Sequence, residues 1–299
     1  MKKFAKRFCL FALIGLAINV GCKKHKTNNN NTDPVTITVN PITTTVVCDY
    51  DAADTSLTNH GWTEAFDDEF TGTLDNWSVL TGGVKKELQC NEPANVQIVN
   101  GVLQITASRQ TVTGPKTVGN DTTQSFDYTS GWIVSKETFS ANISTPKVRI
   151  VARIKAASGY GLSSLFYGFG PNWPTNGEID YMGVQGYNTK MYTTNYEYGN
   201  MINNNLVSGA LLNNPVTEDL SACYHVFTME WTQNSLNSYL DGKLVEAKTT
   251  GGNVSSLFGK SHYISLSLPV GGLFYSTLNK ANIQEGTLYV DYIKVFTSN

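Results

Sequence analysis

From Trp62 onward the chain is a succession of short runs in which apolar and polar residues alternate, broken by Gly, Asn, Asp and Pro. A period of two puts successive side chains on opposite faces of a strand, so each run predicts a half-buried β-strand. NVQIVNGVLQITAS reads as two such runs joined at Asn100-Gly101, and LNSYLDGKLVEAK as two more joined at Asp241-Gly242. Both dipeptides tolerate the positive φ that a two-residue hairpin turn demands. VRIVARIKA, SSLFYGFG, EIDYMGVQ, KMYTTNYEY, HVFTMEWTQ, YISLSLPVGG and TLYVDYIKVF continue the pattern. Helical periodicity is absent after the N-terminal apolar run. Many short strands over residues 62–299, with no βαβ alternation, predict an all-β fold, an antiparallel sandwich or barrel.

The first residues read differently. Lys2, Lys3, Lys6 and Arg7 precede an apolar run from Phe8 to Val20, too short to span a bilayer comfortably but right for the core of an export signal. The run ends in Gly21-Cys22, which resembles the lipobox of bacterial lipoproteins, where the cysteine is lipidated and becomes the mature N-terminus. Asn19 departs from the usual Leu of that motif, and the plainer alternative is a cleaved signal with an incidental cysteine. The expectation is an exported chain anchored to the membrane of the bacterial envelope by lipid on Cys22. Residues 1–22 are then the signal, and residues 23–60, opening KKHKTNNNNTDP, a flexible tether with some order near Cys48. The domain occupies 61–299.

Composition narrows the partner. Charged residues are 15% of the chain and the formal net charge is -2, so the basic footprint of a nucleic-acid binder is missing. A neutral polymer fits better. No repeat of 20 to 50 residues is visible, against a solenoid or propeller, and a monomer is expected. Beyond Cys9 in the signal and Cys22, the cysteines are Cys48, Cys90 and Cys223. They allow at most one internal disulfide, its pairing open, and no C-x-x-C supports a zinc ribbon.

Candidate chemistry gathers at WPTNGEID, Trp173 to Asp180. Alternation through EIDYM puts Glu178, Asp180 and Met182 on one face, with Ile179 and Tyr181 on the other. Two carboxylates on one strand face are costly unless solvated, paired or used. An edge strand with that face in water would satisfy them. The Trp173-Pro174 pair and the Gly-rich surroundings instead predict a cleft floored by a sheet. His225, His262 and Trp231 have no partner motif and are expected to be structural.

WPTNGEID resembles the signature of glycoside hydrolase family 16, the laminarinase, lichenase, agarase and carrageenase group. The resemblance covers nearly all of Trp62 to Phe296. Phe66-Asp-Asp-Glu-Phe70, Glu87-Leu-Gln89, Gly101 to Ala107, Thr129-Ser-Gly131, His225 to Trp231, Val270-Gly-Gly272 and Tyr289 to Val295 follow in family order. It implies a β-jelly-roll sandwich of concanavalin A-like type with a substrate cleft across the concave sheet.

In that family the strand carries three carboxylates, spaced E-x-D-x-E or E-x-D-x-x-E. By this match Glu178 is the nucleophile of a retaining mechanism and Asp180 tunes it, while the third, the acid/base, is absent in both registers: Met182 holds the shorter spacing and Gly183 the longer. Asn195 stands where the family often has a cleft histidine, and Tyr167 where it usually has Trp. Glu197 shares the face of Asn195 and is the candidate for a displaced acid/base. Trp173, Tyr167, Trp132 and Asn195 are the candidates for sugar contact. No cofactor is required, although the resemblance implies a structural calcium at Asp291 and the Gly101 carbonyl. Two functions follow: a retaining endo-β-glycosidase or transglycosylase on a β-linked polysaccharide, or a glycan-binding lipoprotein that captures polymer for partner proteins.

Overall fold

The computed structural model describes residues 44–299, apart from 203, 205–206, 209–210, 250–252 and 276. The expected signal, Cys22 and the start of the tether lie outside the described residues. The fold is two packed eight-stranded sheets with two small accessory sheets. The first sheet holds β1 (Thr63–Asp68), β5 (Val96–Val99), β6 (Val102–Ala107), β11 (Lys147–Lys155), β17 (His225–Thr232), β18 (Ser235–Leu240), β19 (Lys243–Thr249) and β21 (Gly286–Ser298). The second holds β2 (Trp77–Val79), β10 (Trp132–Phe139), β12 (Ser163–Phe169), β13 (Glu178–Gln185), β14 (Met191–Tyr198), β15 (Val207–Ser208), β16 (Leu212–Pro215) and β20 (His262–Ser267). β3 (Gly82–Gly83), β4 (Gln89–Asn91) and β9 (Tyr128–Ser130) form one small sheet, and β7 (Val112–Pro115) with β8 (Thr123–Phe126) the other. Within both large sheets every pairing is antiparallel. The all-β, antiparallel jelly-roll sandwich expected from the sequence is the observed fold.

The core lies between the sheets because one side of each alternating strand is apolar. Ile150, Ala152, Ile154, Val290, Ile293 and Val295 face inward from the first sheet, and Ile133, Phe166, Ile179, Val184 and Ile264 from the second. The hairpin signals hold: Asn100-Gly101 joins β5 to β6 with φ of 53° and 74°, and Asp241-Gly242 joins β18 to β19 with φ of 49° and 73°.

Residues 44–60, placed by composition at the end of a tether, lie on the sandwich. Leu57, Tyr50, Ala52 and Trp62 pack on Val151, Val226, Tyr292 and Phe296, around a short helix, α1 (Asp54–Thr58). Arg153 donates to the Tyr50 carbonyl at 2.9 Å and Arg149 to the Leu57 carbonyl at 2.7 Å. The disulfide is Cys48–Cys223, closing 175 residues of separation, and Cys90 is left as a buried thiol. His225 and Asp241 lock the same corner: His225 Nδ1 meets Asp241 Oδ2 at 2.9 Å, and Asp241 also accepts from the Val226 and Val47 amides. Removing the crosslink with Cys48→Ser and Cys223→Ser is expected to cost about 2–5 kcal/mol. Urea unfolding with and without reductant checks it; a native chain equally stable in both would contradict it.

Candidate active site

Three cross-strand rows build the site on the outer face of the second sheet. Residues directly opposed in an antiparallel pair share a face. Pairing of β13 with β12 and β14 therefore gives the rows Phe169–Glu178–Glu197, Tyr167–Asp180–Asn195 and Leu165–Gly183–Thr193. Between the last two rows β13 carries one residue more than either neighbour, a β-bulge at Tyr181 and Met182. This corrects the simple alternation, which put Met182 beside the carboxylates. Met182 pairs with Phe166 and packs in the core while still bordering the pocket described below, and the position beside Thr193 passes to Gly183. The bulge therefore selects the longer spacing, and Gly183 stands where its third carboxylate would be. A Cβ there would lie 2.6 Å from Thr193 Oγ1, so that hydroxyl occupies the space a side chain would need.

A pocket opens over these rows. Its walls include Glu178, Asp180, Met182, Gly183, Leu165 and Tyr167 of β12 and β13, Trp132 and Ser267 of β10 and β20, and Glu87, Gln89, Asn91 and Phe274 from outside the large sheet. It takes in about 680 Å³ of space, the open solvent at its mouth included. Gln89 and Asn91 are buried and Glu87 half-buried. Sequence reasoning noted Glu87-Leu-Gln89 as a family landmark but gave it no role; the signal was the period of two, which aims Glu87 and Gln89 the same way.

The carboxyls interact strongly. Glu178 is buried, and its pKa stands well above the ordinary value, first through burial and then through the charges of Asp180 and Glu197. The Trp173 indole lies against it and favours the charged form. Glu178 Oε2 is buried with no hydrogen-bond partner in the protein. Asp180 is raised by burial, but hydrogen bonds with Glu178 and Asn195 and the Lys248 ammonium oppose the rise. Glu197, 1% exposed, is raised to about 8 by burial and then by Asp180. Like charges this close do not all ionise, so the cluster retains protons near neutral pH.

That retention has a stability consequence. Glu197 titrates from 4.5 when unperturbed to about 8 in the fold. Between those values the folded chain holds a proton that the unfolded chain has released, so stability is full below pH 4.5 and falls as pH rises through about 8. Glu197→Gln should melt several degrees above the native chain at pH 9 and alike at pH 4.5. Parallel melting curves that never diverge with pH would refute it.

The remaining candidates fall in several places. Trp132 and Tyr167 line the pocket; Trp132 Nε1 donates to Ser265 Oγ at 2.8 Å. Asn195 is buried beside Asp180, its Oδ1 without a protein partner. Trp173, joined to Pro174 by a cis peptide, packs against the Trp132, Tyr167 and Phe169 cluster and so serves Glu178 more than an open platform. Glu197 lies opposite Glu178 but not among the pocket walls, at the end of β14 away from Thr193. His262 stacks on Trp231 in the interior, with burial lowering its pKa to about 4. On the far sheet Asp291 Oδ2 accepts from Arg153 Nη1 at 2.7 Å. A calcium ion at the expected place would share that carboxylate with the guanidinium.

The fold is thus a jelly-roll sandwich whose cleft is floored by interacting carboxyls and lined by Trp132 and Tyr167. The family model described as Glycosyl hydrolases family 16 matches residues 86–294, and the chain belongs to that family. Among curated relatives, Glucan endo-1,3-beta-glucosidase A1 of Niallia circulans is 27% identical over 263 residues, 77% of this chain and 37% of that protein. The Clotting factor G alpha subunit of Tachypleus tridentatus is 26% identical over 249 residues, 79% of this chain and 34% of that protein. The chain thus spans little more than a third of either relative. Among solved structures, the endo-beta-1,3-glucanase of Pyrococcus furiosus superposes with a TM-score of 0.67 at 26% identity, covering 80% of this chain and 95% of that one.

Proposed function

We propose that the domain is a retaining endo-β-glycosidase acting on a β-linked glucan, carried by an exported chain anchored through lipid on Cys22. The observation that carries the reading is Glu178 on the pocket floor, with Oε2 buried and unpartnered and Asp180 in hydrogen-bonding contact. A retaining mechanism needs a carboxylate that attacks the anomeric carbon. Moving the shared proton off Glu178 would free that carboxylate; Asn195 hydrogen-bonds Asp180 and, with the Lys248 ammonium, favours its charged form beside it. Trp132 and Tyr167 supply aromatic contact for sugar rings. Glu197, deep in the cluster and away from Gly183, suits proton storage better than contact with a leaving group. The names of the relatives make β-1,3-glucan the first polymer to test.

The test is release of reducing ends from β-1,3-glucan, with a 2-fluoro glycoside to trap the intermediate. Mass on the peptide containing Glu178 supports the reading; mass on another carboxylate, or none with turnover intact, sinks it. One observation favours a second reading. Gly183 carries no carboxyl where one is needed, which suits a protein that binds glycan without cleaving it. Saturable binding of β-1,3-glucan with no product would select that alternative.

A further inference from the structure

The retaining chemistry proposed above lacks a proton donor on β13, but the same pocket holds another carboxyl. Glu87, from the loop before β4, lines it together with Glu178 and Asp180. Its backbone is fixed: the amide bonds the Val84 carbonyl at 3.1 Å, the residue bridges to Gly271, and the Leu88 amide bonds the Val270 carbonyl at 2.9 Å. The side chain is fixed as well. The Val270 amide can only donate, so Gln89 Oε1, 2.9 Å from it, must be the acceptor. That orients the Gln89 amide so that Nε2 donates to Glu87 Oε2 at 2.6 Å. An oxygen accepting that bond serves as the carbonyl of a carboxylic acid, which leaves the proton to Oε1. Glu87 and Glu178 both act on one group, the Tyr167 phenol, whose pKa rises first by burial and then by the charges of the two carboxylates. The Gly271–Gly272 turn touching Glu87 leads directly to Phe274, which borders the space above Gly183.

We infer that Glu87 is the acid/base of this site, acting from the loop before β4 in place of the carboxyl that Gly183 lacks. In the first step a Glu178 oxygen bonds the anomeric carbon, the glycosidic C–O bond breaks, and the Glu87 Oε1 proton passes to the departing oxygen. In the second, Glu87 takes a proton from water as the water oxygen bonds the anomeric carbon and the bond to Glu178 breaks. Both residues end as they began. Burial raises Glu87 to about 7, against the opposing bond from Gln89, so it carries a proton in the acid range. The titrating groups sharing its pocket are Glu178 and Asp180 of β13 and Tyr167 of β12; Lys85 and Lys86 precede it in its own loop and are exposed.

The inference rests on the retaining reading, and one experiment separates them. Native chain, Glu87→Gln, Glu197→Gln and Glu178→Gln are assayed on β-1,3-glucan and on a dinitrophenyl β-laminaribioside, whose leaving group needs no proton. Glu87→Gln should lose about 10²–10⁴-fold on the polymer and keep formation of the glycosyl-enzyme from the aryl substrate. Azide should then restore its aryl turnover, giving a β-glycosyl azide, and the alkaline limb near pH 7 should vanish. Glu197→Gln should leave the ratio of polymer to aryl rates unchanged. Unchanged polymer turnover in Glu87→Gln, or lost aryl turnover that azide does not restore, overturns the role of Glu87 while leaving that of Glu178. No turnover of either substrate by the native chain, or full activity in Glu178→Gln, overturns the retaining reading itself.

Discussion

Glu178→Gln is expected to reduce turnover of both β-1,3-glucan and an activated aryl glycoside by roughly 10⁴–10⁶-fold, the scale of loss when a covalent nucleophile is removed. The two substrates should fall together, because an activated leaving group substitutes for an acid but not for a nucleophile. Glutamine keeps the shape and removes the charge that burial and two neighbouring carboxyls oppose. The folded chain should therefore persist, and near-ultraviolet circular dichroism should match the native spectrum. Glycan binding should survive, since the pocket walls Trp132 and Tyr167 are untouched. A variant that still cleaves glucan would place the nucleophile elsewhere.

The alternation of the strands made the sandwich legible, and two dipeptides fixed two hairpins. Their physics is local: period two decides which face is buried, and Asn-Gly or Asp-Gly decides where the chain can reverse. The carboxyl pair was equally visible, since Glu178 and Asp180 lie two apart with no irregularity between them. What followed was not. A single extra residue at Tyr181 and Met182 reverses the facing of everything after it, and a bulge has no composition of its own. The wall bearing Glu87 and Gln89 was hidden for another reason. It comes from a segment about ninety positions away in sequence, and only the small sheet of β3, β4 and β9 and the Val270 backbone bring it over the floor. The strap of residues 44–60 was obscured by its polar lead-in, because its hold on the sandwich comes from two arginines and a disulfide more than from an alternating pattern.

Gly183→Glu provides the opposite test, a gain. The backbone at Gly183 is not in the left-handed region, so an L residue is allowed there; the obstacle is Thr193 Oγ1, 2.6 Å from the Cβ that glutamate would bring. That hydroxyl donates to the Gly183 carbonyl at 3.1 Å, which holds it in the way. The single variant should therefore strain the β13–β14 pair and gain little. Gly183→Glu with Thr193→Ala removes the obstruction and sets a carboxyl beside Leu165 and Phe274 in the pocket that Glu87 also lines. In a Glu87→Gln background this pair should recover about 10²–10⁴-fold of polymer turnover, the usual contribution of general acid–base assistance. With Glu87 intact the same pair should add much less, because the proton is already supplied. An equal gain in both backgrounds would mean that Glu87 contributes no proton, and no gain in either would mean that the space above Gly183 is not where the leaving oxygen sits.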